Sequence, residues 1–531
     1  MNVFKAKMAS DGSLDKLKGR IVARGDLQGE QSNEDTWSGC VNMRTVRIFI
    51  AYATSLKRKV KQLDFIGAYL QAQARGRIFI ELPKEYSKHF PDLAQYFNRP
   101  IRLNKTIYGL TVSAKYWNEE LSNWLKEDEG FKHSTSDANL WVRRYNKENY
   151  IILALYVDDA LYFGDSTSTE ESFLERMKSR FNVQNLGDAH WFLGVRIHRY
   201  KDGSYTLDQN RFTTTVLRKF CPVDAPWGQP SFQETPAPLD YVFSIKNRPK
   251  DDDEKNQILI KYPKLVYASA VCTLLYLALG VRGDLLWVIG KLTKACTNPG
   301  LPDYRALMWC LGYLRKFKNL RIKFYANPND SPVYKICRTN NINPTDLIGF
   351  SDSSWQDCPD TGRSTTGFQI FYRGSFIEGN SSMPVPVAMN TAEAEYMGAC
   401  NCCMALAHAN MLIYDLKNLD TENFKIDGHE TTTPPTVVLV DNKSTVQMSK
   451  NYQMSKKNRH ISRRYHYVRE GEKAKRHSLT WISGEDQLAD ITTKTQEATK
   501  INKHLDRVFI VVPDFLKKKI TRFASKGSYE I

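Results

Sequence analysis

Residues 150–164, reading YIILALYVDDALYFG, constrain this chain more than any other segment. Two apolar, β-rich runs flank Asp158 and Asp159, a pattern that predicts a buried hairpin with two acids at its tip. Carboxylates cost little at a hairpin tip, so a solvated turn accounts for two adjacent aspartates taken alone. Their company points further. Upstream, KQLDFIGAYLQA sets Asp64 after an apolar strand position and beside Phe65, Ile66, Ala68 and Tyr69. Three acids sharing one pocket stay ionised together only if cations offset their repulsion. Hard oxygen ligands suit magnesium, which retains waters and binds substrate phosphates. Two such ions, about 3.5–4 Å apart, can activate a primer 3′-hydroxyl and stabilise the pyrophosphate that leaves.

A second set of acids stands in the C-terminal third. Asp352 follows a strand in GFSDSSW, Glu395 lies in the first turns of a long helix in NTAEAEY, Asp441 ends the apolar run VVLVD, and Asp490 sits in QLADITTK. Singly, each fits a solvated helix residue or a cap. Together, two acids at strand ends and two near helix starts form the set by which a ribonuclease H fold gathers two magnesium ions around a scissile phosphate. Glu393 competes with Glu395, but it lies three residues after Asn390, where a capping box already accounts for it.

Charge supports a polyanionic partner. The 531 residues carry 75 Lys and Arg against 58 Asp and Glu, a net charge of +17. Residues 449–477 concentrate that excess, with Arg459, Arg463 and Arg464 among the basic residues and Tyr465 and Tyr467 interleaved. Such a run binds phosphates without regard to sequence and in a salt-dependent way, although a solvated helix face fits it too. The longest apolar stretch, 268–280, is too short to span a bilayer and reads as a buried helix, so no membrane partner is expected. No secretory signal precedes the ten cysteines, which places them in a reducing compartment; Cys400, Cys402 and Cys403 read as buried small hydrophobes.

Length predicts roughly three or four globular units. Mixed strands and helices over 18–164 predict an α+β domain, 262–320 reads as almost wholly helical, and proline and asparagine near 327–344 mark a linker.

At these motifs the sequence resembles the reverse transcriptase of copia-type LTR retrotransposons, through QLDFIGAYLQA, RLNKTIYGLTVSAKYW, LYVDDALYFG and WFLGVRI. It also resembles their ribonuclease H domain, through GRSTTGF, TAEAEY, VDNKST and QLADITTK. The resemblance implies an α+β multi-domain protein: a right-hand polymerase palm and fingers over 1–205, N-terminally short, and a mostly helical thumb and connection over 206–325. A linker at 326–345, an RNase H-like α/β domain over 346–497 and a tail over 498–531 complete it. It implies an RNA-directed DNA polymerase with ribonuclease H activity, using two Mg2+ per site, with Mn2+ as the alternative.

By that resemblance Asp64, Asp158 and Asp159 bind the polymerase metals, and Asp352, Glu395, Asp441 and Asp490 those of the nuclease. Lys18, Arg20 and Arg24 contact the incoming triphosphate, and Tyr69 screens out the ribose 2′-hydroxyl; strand packing also fits Tyr69. Leu193 and Gly194 hold the primer end. The implied partners are an RNA template, a DNA primer, an RNA/DNA hybrid and dNTPs, in a cytoplasmic virus-like particle and in the nucleus. The chain departs from the family's commonest pattern at Val112, where glutamine is usual, at Ala114, where proline is usual, and at Gly39. Those departures and the short fingers leave a rival open: an impaired remnant that only binds nucleic acid.

Overall fold

The computed structural model describes residues 1–8, 14–28, 36–82, 88, 90–97, 99–146, 148–422, 424–425, 434–451 and 462–511. It separates into two compact units. The first comprises Met1–Thr45, Lys59–Ala189 and Asp415–Phe424; the second comprises Val46–Arg58, His190–Tyr414 and Lys425–Ile531.

In the first unit a six-stranded sheet runs in the order Val183–Asp188, Lys61–Phe65, Asp159–Gly164, Tyr150–Tyr156, Leu140–Arg144, Lys132–His133. Every neighbouring pair is antiparallel. The hairpin expected at the two aspartates forms: Tyr156 pairs with Asp159 across a tight turn at Val157 and Asp158. Its strands are continuously apolar because they are buried along nearly their whole length.

Helices cover this sheet. In Thr167–Arg180, Ser166 caps the N-terminus by accepting from the Thr169 amide, and Phe173, Leu174 and Met177 form the buried stripe. The helix Ser113–Asn123 contributes Trp117 and Leu121 to the same core. There Phe65, Trp117 and Phe181 meet edge to face, with centroids 5.2 Å apart for Phe65 and Trp117 and 5.6 Å for Trp117 and Phe181.

The second unit holds two sheets and a group of helices. One sheet runs Trp191–Phe192, Val195–Arg199, Tyr205–Asp208, Leu320–Phe324, Phe509–Val511. Between its third and fourth strands come the helices Asn210–Phe220, Asp252–Lys261, Tyr267–Gly280, Leu286–Thr293 and Leu301–Lys316, so the stretch read as helical is helical. Arg282 is fully buried among them, its guanidinium on Asp284 at 3.0 and 2.7 Å, and the Tyr313 hydroxyl donates to the same carboxylate at 2.8 Å. A buried pair this completely hydrogen-bonded avoids the desolvation cost of a lone charge.

The other sheet runs Ser375–Ser382, Thr365–Tyr372, Leu347–Ser354, Thr436–Val440, His477–Trp481. Its first three strands are antiparallel and its last two join in parallel. The 28-residue helix Thr391–Asn418 carries Cys400, Cys402 and Cys403, all buried.

Three segments bear on the divisions read in the sequence. Tyr205–Asp208 pairs with Leu320–Phe324, and its sheet, which includes Trp191–Phe192 and Val195–Arg199, groups with the second unit, so the chain passes from the first unit to the second after Ala189. The segment 326–345 holds the helix Pro332–Thr339, because Ser331 caps the Val333 amide and Pro332 takes the first helical position: residues that break one element start another. Residues 498–511 are ordered as the helix Ala498–Val508 and the strand Phe509–Val511, while 512–531 lie outside the described residues.

Trp117 fills the centre of the aromatic core, so Trp117→Ala should lower the stability of the first unit by about 3–5 kcal/mol. Urea denaturation followed by fluorescence checks it, and an unchanged midpoint contradicts it.

Candidate functional site

In the first unit the register brings the acids together. Asp64 sits directly opposite Asp159 on adjacent antiparallel strands, which puts both side chains on one face. Asp158 occupies the turn next to them, and its carbonyl accepts from the Phe65 amide at 2.7 Å. Val157, beside it, has φ +53°, a conformation strained for a β-branched residue. The Trp117 indole holds that peptide by donating to the Val157 carbonyl at 2.6 Å. Burial, and then the charges of Asp158 and Asp64, push the Asp159 carboxyl up to about 6, while the Gln62 amide donates to it at 3.3 Å.

Tyr69 stands beside this cluster on the short 3-10 turn Ala68–Gln71, which Gly67 enters at φ +63°. Its phenol is pushed up by burial first and by Asp158 next, which places the ring near that acid. The Tyr69 and Tyr108 rings lie 4.9 Å apart, and the Arg20 guanidinium sits 4.6 Å over Tyr108. Arg20 is therefore linked to the acids through two aromatic rings. Arg24 points elsewhere: it is exposed and chelates Asp26 at 2.8 and 2.6 Å. With Arg75, Arg77 and the buried Val112 it lines a cavity of about 840 Å³. Lys18 lies in the strand Leu14–Ile21, its side chain outside the described residues.

The second cluster is tighter. Parallel pairing of Phe350 with Leu439, continued by two residues, sets Asp352 level with Asp441. The 3-10 turn Leu488–Thr492 adds Asp490. Single carboxylate oxygens of Asp352, Asp441 and Asp490 all lie within 4.8 Å of one another, the one such acid group among the described residues. Gln487 fixes the turn, donating to the carbonyls of Ser351 at 3.0 Å and Leu439 at 3.4 Å on the two strands that carry the other acids.

Glu395 approaches from the helix Thr391–Asn418, and burial followed by Asp352 and Asp441 holds its carboxyl well above the usual range. Its Oε2 is buried without a hydrogen-bond partner. A buried carboxylate with an unpartnered oxygen, close enough to Asp352 and Asp441 to feel their charge, fits a divalent cation that supplies the missing countercharge. Glu393 has other work: it accepts from the Met389 amide at 2.9 Å, and its own amide donates to Asn390. Burial and Asp352 likewise raise Asp441, and raise Asp490 to about 6.

Leu193 and Gly194, with φ +52° and +72°, form the turn between Trp191–Phe192 and Val195–Arg199. The Tyr276 hydroxyl donates to the Leu193 carbonyl at 2.7 Å and packs edge-on against Phe212. Arg463 and Arg464 belong to the helix Ser462–Lys473, but their side chains, and all of Arg459, lie outside the described residues. Sequence reasoning did not single out Gln62, Tyr108, Tyr276, Gln487, Thr493 or Lys494. Only Lys494 carried a usable signal, a base four residues after Asp490.

Residues 1–226 match the family model described as reverse transcriptase (RNA-dependent DNA polymerase). Over 94% of its length the chain is 27% identical to a retrovirus-related Pol polyprotein from transposon TNT 1-94 of Nicotiana tabacum, and over 93% it is 27% identical to one from transposon RE2 of Arabidopsis thaliana. A Saccharomyces cerevisiae Ty1 Gag-Pol polyprotein is 23% identical over 90% of the chain. These matches cover 34%, 30% and 25% of the respective relatives, so the chain spans about a third of their length or less. Among solved structures, an N-terminal RNase H domain from Mycobacterium tuberculosis, fused to maltose binding protein, covers 30% of this chain and 93% of that one at 14% identity and a TM-score of 0.20. The resemblance to copia-type Pol polyproteins read from the motifs is thus borne out over most of the chain.

An acid whose folded value is raised stabilises the fold fully below its unfolded value, and that contribution is lost as pH rises through the folded value. For Asp159 the window runs from 3.8 to about 6. Asp159→Asn mimics the protonated acid, so without metal its thermal midpoint should exceed the parent's by a few degrees at about pH 7.5 and match it at about pH 3. Coincident melting curves at the higher pH contradict this.

Proposed function

We propose that the chain is an RNA-directed DNA polymerase with an attached ribonuclease H, each working by two-metal phosphoryl transfer. The observation that carries the reading is the pairing of Asp64 with Asp159 beside the Asp158 turn, inside a stretch that matches the reverse transcriptase family model. Asp64, Asp158 and Asp159 would hold Mg2+, or Mn2+, in the first unit, and Asp352, Glu395, Asp441 and Asp490 in the second. Bound there, the ions supply charge to polarise a phosphoryl oxygen and lower the pKa of the attacking hydroxyl or water.

The chain's own groups do the rest. Asp159 and Asp490, each raised to about 6, favour a cation over a proton at neutral pH. Tyr69, its ring 4.9 Å from that of Tyr108, would screen out a 2′-hydroxyl, and Arg20, 4.6 Å over Tyr108, would serve as a phosphate-binding cation. The Leu193 and Gly194 turn, held by Tyr276, suits a primer backbone. Arg459, Arg463 and Arg464 would bind the hybrid by its phosphates, a shape-directed and salt-sensitive contact. The substrates are then an RNA template, a DNA primer and dNTPs, with synthesis inside the cell in a particle and delivery to the nucleus.

Extension of oligo(dT) on poly(rA) with Mg2+ tests the reading. The parent should extend the primer, and Asp158→Asn should lose at least about a thousandfold in rate while keeping salt-sensitive hybrid binding. No extension by a folded, hybrid-binding parent supports the rival, a remnant that only binds nucleic acid. Tyr69→Ala should raise ribonucleotide incorporation relative to dNTP; an unchanged ratio contradicts the role given to that ring.

A further inference from the structure

Lys494 stands at the mouth of the second acid cluster. Its side chain is 40% exposed, whereas those of Asp352 and Asp490 are 1% and 11% exposed. From there Nζ lies 3.2 Å from Asp352 Oδ2, 3.4 Å from Asp352 Oδ1 and 2.8 Å from Asp490 Oδ1. The Thr493 hydroxyl donates to Asp352, so the backbone that launches the lysine is anchored to the acid the lysine pairs with. Near Asp352 and Asp441, Glu395 Oε2 is buried without a hydrogen-bond partner. Lys500 reaches only to 4.0 Å from Asp490 Oδ2.

We propose that Lys494 is a tethered counter-ion for the metal-free cluster, one that a divalent ion must displace from Asp352 and Asp490 in order to bind. The inference rests on the reading of this cluster as a metal centre. Its ammonium touches two of the three acids whose oxygens lie within 4.8 Å of one another, which is the place of a cation. Acids gathered this closely need a countercharge whether or not metal is present. A divalent ion bonds carboxylate oxygen at about 2.0–2.1 Å and repels an ammonium beside it, so the two cannot share the same oxygens. A lysine suits a displaceable role because its compact charge rides on a flexible four-carbon stem, and this one already reaches solvent. Lys494 thus steadies the empty cluster and raises the metal concentration needed to fill it.

Mn2+ titration calorimetry on the full chain tests this, in an Asp158→Asn/Asp159→Asn background that silences the first cluster. Lys494→Met should bind Mn2+ at least about tenfold more tightly than the background protein. It should melt several degrees lower in EDTA and at the same temperature when loaded with Mn2+. Lys494→Arg should stay close to the background in affinity, and Lys494→Gln repeats the measurement if the methionine variant does not fold. Unchanged or weaker Mn2+ binding in the uncharged variants, with binding lost in Asp352→Asn, overturns the inference alone. Binding retained in Asp352→Asn overturns the metal-centre reading as well.

Discussion

Mutual repulsion of carboxylates in partly buried ground is the constraint around which both candidate sites are arranged. Left to themselves such groups would separate or take up protons. Here strand register prevents separation. Asp64 and Asp159 are opposed across an antiparallel ladder, and Asp352, within Leu347–Ser354, lies level with Asp441, which directly follows the parallel strand Thr436–Val440. The strain is visible in proton affinity: burial and neighbouring acids raise Asp159 and Asp490 to about 6. Crowded acids of raised proton affinity lack a countercharge, and a divalent cation supplies one.

The two clusters solve the same problem with different means. In the first unit the turn at Val157 stores backbone strain, and the Trp117 indole restrains it from within an aromatic core that also encloses Phe65. Core packing and acid geometry are thereby one structure. In the second, a neutral amide does the fastening: Gln487 bridges the Asp490 turn to both acid-bearing strands. Lys494 then sets a cation against the acids, whereas among the hydrogen bonds of the first cluster the partner of Asp159 is the neutral Gln62.

Much of this was legible in the residue order. The two apolar runs in YIILALYVDDALYFG fix a hairpin because continuous apolar strands must be buried, and the two aspartates then fall at its turn. Asn390 accepts from the Glu393 amide as a cap should, while the Glu393 carboxylate turns to the Met389 amide and so is engaged away from the cluster that Glu395 approaches. What stayed hidden was long-range. Nothing near residue 276 signals that Tyr276 will hold the Leu193 carbonyl 83 residues away, and Gln487 acts through strands 136 and 48 residues distant. The helix Pro332–Thr339 was missed because Ser, Asn and Pro punctuate loops and begin helices with equal ease. Arg24 matched a motif, yet a neighbouring Asp26 claims it locally.

The central claim is that each unit carries its own acid-built metal centre. Anomalous diffraction from crystals soaked in Mn2+ tests it most directly. The account predicts one set of peaks bounded by Asp64, Asp158 and Asp159 and a second bounded by Asp352, Glu395, Asp441 and Asp490. An ordered crystal with no peak at either cluster under saturating Mn2+, or with peaks seated on other residues, would contradict it.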